Sequence, residues 1–378
     1  TELIALRSGT VSLDGEIFKG KVSLPRKLEL PQRNIKLDEG VHNLLTKFGS
    51  QQQIYPSENI GEIMSEIGNN KLLSLIIKEK WGGNHCSTTH LSELLTKLSS
   101  VNPALGVTVM VPNSLGPAEL LYSYGTKEQQ DRFLPKLANG ELVPCFGLTG
   151  PNNGSDAVGS IDRGEVVKRG DKLFIQIKIN KRYITLAPVA NIAGIAFNLE
   201  DPNEFLGTGK SGITVALVEK DTCGLQQETH HNPLNVGFPN GTLKGDLLIP
   251  IDQVIGGVEN VGEGWKMLME CLAAGRGVCL PATANACAKV STVGIWHYIN
   301  NRQQFKIPLM KMEAVSNKFC DMVYHTWIIQ SGIALTNNLL DSGEKPAVIS
   351  AIMKQQTTDR AREVLNHGMD IHAGSAIC

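Results

Sequence analysis

Two short segments hold the residue types from which a binding site could be built. The first, residues 149–156 (TGPNNGSD), is a Pro/Asn/Gly turn with a threonine at its start and Ser-Asp at its end. The second, residues 181–185 (KRYIT), combines an aromatic residue with a hydroxyl. We expect them to be two adjacent strand ends. Hydroxyls and backbone N–H groups beside an aromatic ring suit a flat ligand with polar edges better than a phosphate alone.

Composition narrows the classes of protein to which the chain can belong. Its 378 residues are enough for two or three domains. A formal net charge of −1 with 19% charged residues gives no reason to expect nucleic acid or an anionic membrane as partner. No apolar run reaches the ~18 residues that a membrane span needs. No secretory signal is visible. Because the chain begins at Thr1 and not at Met, two explanations stay open: it is a segment of a longer protein, or its start results from processing.

The cysteines indicate the redox compartment. There are eight, and none forms a CxxC pair. Their scatter in a long chain predicts reduced thiols and a cytoplasmic location. Cys86 lies between His85 and His90, but a metal site there would lack a fourth ligand, so we expect no metal. Rossmann and P-loop glycine patterns are also missing, which leaves nicotinamide and nucleotide-triphosphate chemistry without support.

Periodicity divides the chain into a lead-in segment and three regions. Residues 1–35 form the lead-in segment. Residues 36–140 are predicted to be an α-helical domain, because Val41, Leu44, Leu45 and Phe48 repeat at helical spacing and Thr126 precedes a helix as its cap. Residues 141–257 contain short β-branched runs bounded by turn residues. We predict strands at 143–148, 173–179, 189–198, 212–218 and 245–249, in an antiparallel barrel or sandwich.

Residues 258–378 return to helical spacing. One long element is expected from Gly264 to about Arg302, with a kink at Pro281. A second begins at Pro308, and a third begins at Lys345-Pro346. Three helices indicate an incomplete bundle, whose fourth helix we expect beyond Cys378. The predicted fold class is therefore α+β: N-terminal helices, a central β domain and a C-terminal helical bundle.

This order of domains resembles that of the acyl-CoA dehydrogenases, and the similarity is closest to the long bacterial fatty-acid-oxidation form. The stretches that carry the resemblance are residues 107–117, 125–126 with 134–135, 181–188, 250–252 with 255–257, and 343–348. The resemblance implies a flavoprotein oxidoreductase that holds FAD. It also implies a homodimer or homotetramer, an acyl-CoA substrate and electron-transferring flavoprotein as partner.

The resemblance also assigns residues to the flavin site. Phe146, Leu148 and Thr149 are expected along the isoalloxazine ring, with Gly154 and Ser155 near the flavin phosphate or the acyl thioester. Asn152-Asn153 places side chains where the family has small residues, so we expect a narrower site there. On the other side of the ring the resemblance places Tyr183 and Thr185.

Further residues are assigned in the C-terminal region. Arg276 is expected near the bound acyl-CoA. Arg302, Gln304 and Phe305 match a turn that reaches the FAD of a neighbouring subunit, and Asp370 and Gly374 match a later loop with the same role.

The implied reaction removes the α-proton of an acyl-CoA with a carboxylate while the β-hydrogen leaves as hydride to flavin N5, giving a trans-2-enoyl-CoA in fatty-acid β-oxidation. We expect the catalytic glutamate beyond Cys378. The alternative position, one residue before Arg276, holds Gly275, and Glu270 is too far along the helix to replace it. Two alternatives stay open: a noncatalytic flavin- or acyl-CoA-binding fragment or fold relative, and an acyl-CoA oxidase.

Overall fold

A computed structural model describes residues 13–20, 33–114, 116–227, 230–344 and 346–378. Most of the predicted lead-in segment lies outside these residues, as do Leu115 and Lys345. The chain forms two compact units. Among the described residues, those within 35–86 and 102–272 make the sheet unit, and those within 13–20, 33–34, 87–101 and 273–378 make the bundle unit. The bounds of the four predicted segments stay predictions.

The described helices account for most of the chain outside the sheet. They are Leu13–Phe18 (α1), Ile35–Phe48 (α2), Ile60–Asn69 (α3), Thr88–Val101 (α4), Pro103–Met110 (α5), Pro117–Tyr124 (α6), Lys127–Ala138 (α7), Gly264–Ala274 (α8), Leu280–Asn301 (α9), Glu313–Asp341 (α10) and Ala347–His372 (α11). Among these described helices, none is both long and apolar enough to cross a membrane.

Local sequence explains where the helices of the sheet unit begin and which face they bury. Of the stripe predicted for α2, Val41, Leu44 and Phe48 are buried and Leu45 is half-buried, and Leu37 extends the buried face. Helix α7 begins with a capping box, in which the Thr126 hydroxyl accepts from the Gln129 N–H and the Gln129 side chain accepts from the Thr126 N–H. These features confirm the helical character predicted for this part of the chain.

The β region forms one six-stranded sheet. Its strands are Pro144–Gly147 (β1), Arg163–Arg169 (β2), Lys172–Thr185 (β3), Ile192–Glu200 (β4), Gly212–Glu219 (β5) and Asn240–Pro250 (β6). The order is β1-β4-β2-β3-β6, with β5 also paired to β4. This confirms the predicted fold class.

Most of the strand pairing is antiparallel, as predicted, but two pairs are parallel. Strand β4 pairs in parallel with both β1 and β2, whereas the β2–β3, β3–β6 and β4–β5 pairs are antiparallel. Parallel pairing needs a long crossover, which a helix usually supplies. Between β1 and β4 the chain runs through the β2–β3 hairpin and not through a helix. The absence of predicted helices from this region therefore did not exclude parallel pairs.

A single apolar core joins the sheet to helices α6, α7 and α8 within the sheet unit. It is built from buried side chains on both kinds of element, including Leu121, Phe133, Phe146, Ile192, Leu217 and Leu268. Because β1 runs through this core, the start of the 149–156 turn is fixed to a rigid base.

In the bundle unit, α4 packs against α9 and α10, and these two helices pack against each other and against α11. The Thr96 hydroxyl donates to the Ala282 carbonyl oxygen at 3.2 Å. The fourth packed helix of this unit thus comes from residues 88–101, earlier in the chain than the sheet. The long element expected from Gly264 is interrupted by a π-helical turn, Gly275–Cys279, which ends directly before α9 and its Pro281.

Candidate functional site

The 149–156 turn and the 181–185 strand end lie side by side, as predicted. The Arg182 N–H donates to the Thr149 carbonyl oxygen at 2.9 Å. The Lys181 ammonium donates to the carbonyl oxygen of Leu148 at 3.3 Å. Two segments that are distant in sequence therefore form one continuous surface at the end of β1 and β3.

The side chain of Asn153 shapes the 149–156 turn from inside. It is buried, and its Nδ2 donates to the carbonyl oxygens of Leu148 at 3.0 Å and Ala157 at 2.8 Å. The expectation that both asparagines narrow the site is therefore wrong for Asn153, because its amide turns inward to satisfy backbone carbonyls. Asn152 is exposed on the outside of the turn.

Gly150 permits this tight geometry. A Cβ at this position would lie 2.7 Å from Asn153 Oδ1 and 2.8 Å from the Asn180 carbonyl oxygen, closer than real Cβ contacts. Gly154 is different, since a Cβ there would meet nothing within 4 Å. Gly154 and Ser155 are both exposed, which leaves the outer side of the turn open.

A buried ion pair lies beneath the surface. The Lys181 side chain is 0% exposed, and its Nζ is 3.0 Å from Asp162 Oδ2. The same carboxylate oxygen accepts from the Asn180 N–H at 3.2 Å. Burial lowers the pKa of Lys181, and the Asp162 carboxylate opposes that shift. The pair ties the start of the turn to β3, and Asp162 is a residue that sequence reasoning missed.

Tyr183 presents its ring at the surface through a break in the ladder. The β3–β6 register shifts between Lys181 and Ile184, and Tyr183 has φ +63°. Positive φ is strained for a bulky residue and is concentrated at functional sites. The ring is 58% exposed and lies 5.1 Å from the ring of His231, whose Nε2 is 2.9 Å from the Thr242 hydroxyl.

Thr185 ends β3 and is half-buried. It is paired in register with Asn240, the first residue of β6. Asn240 and His231 belong to the surroundings of this site, but they lie in no motif that would have identified them from sequence. Contact across a ladder depends on register, which the sequence pattern did not supply.

The other residues assigned to the flavin site at the start of the turn, Phe146, Leu148 and Thr149, are buried or half-buried. Phe146 is buried in the core, and a Cβ at Gly194 would lie 2.8 Å from its ring, so the ring lies over that glycine. Leu148 and Thr149 are half-buried. A ligand contact by Phe146 stays a prediction.

The described surface has the features that a flat ring with polar edges requires. Threonine hydroxyls occur at Thr149 and Thr185, an exposed aromatic ring stands at Tyr183, and the outer side of the turn at Gly154 is open. The fit rests on these donors and on the open face, because flat heterocycles are held by apolar contact and a few edge hydrogen bonds.

Two carboxyl groups occur where α6 and α8 meet. The Tyr124 hydroxyl donates to Glu270 Oε2. Half-buried Glu119 has its pKa raised to about 7 by burial. Burial and the Glu270 carboxylate raise the pKa of Tyr124, and burial does the same for Cys271. Sequence reasoning missed Glu119, although an acidic residue within the apolar PAELL run was a usable signal.

The bundle unit holds the other predicted residues. Arg302 is exposed and leads into a hairpin of Gln303–Gln304 (β7) and Ile307–Pro308 (β8). Its tip carries Phe305, which is 90% exposed and has φ +52°. Exposure of an aromatic side chain at a strained tip is typical of a contact residue.

Arg276 and the late loop are less informative. The backbone of Arg276 lies in the π-helical turn, and its side chain is outside the described part of the structure. Asp370 pairs with Lys318 on α10, and Gly374 lies in a short 3-10 turn, Ala373–Ala376.

Comparison with known proteins gives consistent results for sequence and structure. Residues 39–141 match the family model for the N-terminal domain of acyl-CoA dehydrogenase, and residues 262–377 match that for the C-terminal domain. An acyl-CoA dehydrogenase of Bacillus subtilis (strain 168) is 27% identical over 319 residues, which cover 83% of this chain and 79% of the relative.

Two further similarities come from Megasphaera elsdenii. A short-chain specific acyl-CoA dehydrogenase is 27% identical over 327 residues, covering 85% of this chain and 81% of that protein. The solved structure of butyryl-CoA dehydrogenase superposes with a TM-score of 0.78 at 21% identity, covering 93% of this chain and 91% of that one. At this identity the structural likeness shows the fold.

Proposed function

Because this chain belongs to the acyl-CoA dehydrogenase family, we propose that it derives from a FAD-dependent enzyme that converts acyl-CoA to trans-2-enoyl-CoA. The observation that carries the proposal is the junction of the 149–156 turn with the 181–185 strand end, joined by the Arg182–Thr149 hydrogen bond of 2.9 Å. It places Thr149 beside the strand end that carries Tyr183 and Thr185, which supports a shared binding face.

The residues that would hold FAD are those of this junction. When bound, FAD supplies a two-electron acceptor for the hydride that leaves the substrate. The hydroxyls of Thr149 and Thr185 and the N–H groups of the turn would face the polar edge of the ring, where donors stabilise developing negative charge. Tyr183 would cover one side of the ring, Leu148 and Phe146 would exclude water from its inner edge, and Ser155 would contact phosphate or the acyl thioester.

The bundle unit would contribute to cofactor and substrate binding. Arg302, Gln304 and Phe305 would contact the FAD of a neighbouring subunit, which implies a homodimer or homotetramer. Exposure of the whole hairpin supports this role, because its side chains are available to another chain. Arg276 would bind acyl-CoA through its guanidinium, which suits phosphate and carbonyl oxygens.

We assign the enzyme to fatty-acid β-oxidation in the cytoplasm, with electron-transferring flavoprotein as its acceptor. The motifs shared with the long bacterial fatty-acid-oxidation form support this finer assignment, in particular residues 107–117 and 343–348. Eight free cysteines in the described chain agree with a reducing compartment.

We further propose that the catalytic glutamate is not among the residues of this sequence. Gly275 has no carboxylate to offer at the alternative position. Glu270 already accepts a hydrogen bond from Tyr124, so its carboxylate is engaged on a neighbouring helix. A general base must reach the proton that it removes, and an engaged carboxylate is poorly suited to that task.

The experiment is to titrate the purified chain with FAD and then add acyl-CoA without oxygen. We expect one FAD per chain by absorption and by quenched flavin fluorescence, with no bleaching on acyl-CoA addition. Thr149→Val with Thr185→Val should weaken FAD binding about a hundredfold, since each lost hydrogen bond accounts for roughly a factor of ten. Thr336→Val, a buried threonine of α10, serves as the matched control.

The outcomes separate the alternatives. Absence of FAD binding would overturn the flavoenzyme proposal and leave the fold alone. Bleaching by acyl-CoA would show that a base is present within these residues. Peroxide release in air, without any acceptor protein, would favour the acyl-CoA oxidase.

A further inference from the structure

Asn240 is hydrogen-bonded to Tyr183 and Thr185, the two residues that form the outer part of the junction. It is the first residue of β6, is 3% exposed, and lies opposite Thr185 in the β3–β6 ladder. A buried amide at such a position must find hydrogen-bond partners or cost stability. Its Nδ2 has two partners, the backbone of Tyr183 and the side chain of Thr185, whereas its buried Oδ1 has no hydrogen-bond partner among the described residues.

The first partner lies in the irregular part of β3. Paired positions run up to Lys181 and resume at Ile184, so Tyr183 falls between them and has φ +63°. Asn240 Nδ2 donates to the Tyr183 carbonyl oxygen at 3.2 Å. This side-chain bond takes the place of a ladder bond across the bulge, and it holds the strained conformation that directs the tyrosine ring outward.

The second partner is the hydroxyl of Thr185, whose Oγ1 lies 3.3 Å from the same Nδ2. The orientation of the amide is decided by Tyr183, because a carbonyl oxygen only accepts and must face the NH₂ group. Thr185 Oγ1 therefore accepts from Asn240. The hydrogen of the Thr185 hydroxyl can then be donated to another acceptor. Because Thr185 is only half-buried, that acceptor can lie on the open face of the junction.

We propose that Asn240 is a positioning residue of the flavin site. It fixes the bulge that presents Tyr183, and it orients the Thr185 hydroxyl as a donor toward the ring edge. This inference rests on the proposed function, since the group that receives the hydrogen bond is the flavin. Asn240 itself does not touch the flavin, because its side chain is enclosed between β3 and β6.

The test is a double-mutant cycle on FAD affinity. Thr185→Val should raise the FAD dissociation constant about tenfold, the equivalent of one hydrogen bond, and Asn240→Ala should raise it at least as much because it also releases the bulge at Tyr183. The double variant should bind FAD no more weakly than Asn240→Ala alone, because the Thr185 donor is already lost in that variant. Thr185→Ser keeps the hydroxyl and should restore most of the affinity. The visible flavin band should shift alike in Asn240→Ala and Thr185→Val.

Asn285→Ala is the matched control. Asn285 is also buried, donates to Gln330 at 2.9 Å, and lies on α9 in the bundle unit. It should lower thermal stability and leave FAD affinity and the flavin spectrum unchanged. Wild-type affinity in Asn240→Ala, or a further tenfold loss in the double variant relative to Asn240→Ala alone, would overturn the proposal.

A second measurement needs no FAD. In the apoprotein, amide hydrogen exchange of residues 182–186 should become faster in Asn240→Ala and stay unchanged in Asn285→Ala. If exchange is unaltered, Asn240 does not hold the bulge and the inference fails, whatever the flavin result. If the wild type binds no FAD, the proposed function and the donor role fail together, whereas faster exchange still supports the role in the bulge.

Discussion

At the scale of single residues, the least expected feature is Glu119 on α6. Burial raises the pKa of its carboxyl from the ordinary value of 4.5 to about 7. The nearby titratable groups are Tyr124 on the same helix and Glu270 and Cys271 on α8, none of which supplies a positive charge. The folded protein therefore holds the Glu119 proton more tightly than the unfolded chain does.

This difference predicts a pH-dependent stability. Between about pH 4.5 and pH 7 the unfolded chain loses the proton while the folded protein keeps it, so stability falls as pH rises through this window and levels off above it. For a half-buried group we expect a loss of about 2 kcal/mol, which Glu119→Gln should abolish. Urea unfolding at a series of pH values measures the effect.

The control for this measurement is Glu128→Gln, an exposed carboxyl at the start of α7. Its curve should remain parallel to that of the wild type across the window where Glu119→Gln diverges. Parallel curves for all three proteins would contradict a raised pKa at Glu119.

At the scale of elements, the sequence predicted helices better than strands, for physical reasons. Strand β2 has the sequence RGEVVKR, in which only alternate positions such as Gly164 and Val166 are buried. Such a strand contains no apolar run and was missed. Strand β3 was predicted at 173–179, with residues 181–185 as a separate strand end, whereas the structure joins them in one strand in which the rarely buried residue type lysine is enclosed at Lys181 beside Asp162.

Helix α4 illustrates a different limit. Its apolar face is evident from periodicity, but periodicity does not say which element covers that face. The helix was assigned to the N-terminal domain, and the bundle was expected to find its fourth helix after Cys378. The contact that joins α4 to α10 is polar: Asp341 accepts from the N–H groups of Thr88 at 2.6 Å and Thr89 at 3.1 Å.

Asp341 therefore caps α4 from another helix, and its removal should be measurable. Asp341→Ala should lower the free energy of unfolding by about 1.5 kcal/mol, because it removes a charged acceptor from a helix N-terminus. Asp321→Ala, an exposed aspartate on the same helix α10, should change it by less than about 0.5 kcal/mol. If denaturant titrations give the same loss of unfolding free energy for Asp341→Ala and Asp321→Ala, the Asp341 cap makes no net contribution to stability.

At the scale of the whole molecule, the sequence predicted that the two segments of the proposed site lie together, but not the layer behind them. Thr149, Tyr183 and Thr185 were assigned from those segments and from the family resemblance, because hydroxyls beside an aromatic ring suit a flat ligand with polar edges. Asn240 depends on the register of β6, a long-range property that no local pattern encodes. The orientation of the site residues is thus decided by contacts between strands that are remote in sequence.

If this site binds FAD in the folded chain and not in the unfolded one, FAD must stabilise the whole fold by mass action. Raising free FAD to a hundred times its dissociation constant should add about 2.7 kcal/mol, which at this chain length raises the unfolding temperature by several degrees. Thr185→Val should need about ten times more FAD for the same increase. Differential scanning calorimetry over a range of FAD concentrations gives the measurement. An unfolding temperature that does not respond to FAD, in a protein that remains folded at the start of the scan, would refute binding at the junction of the 149–156 turn and the 181–185 strand end.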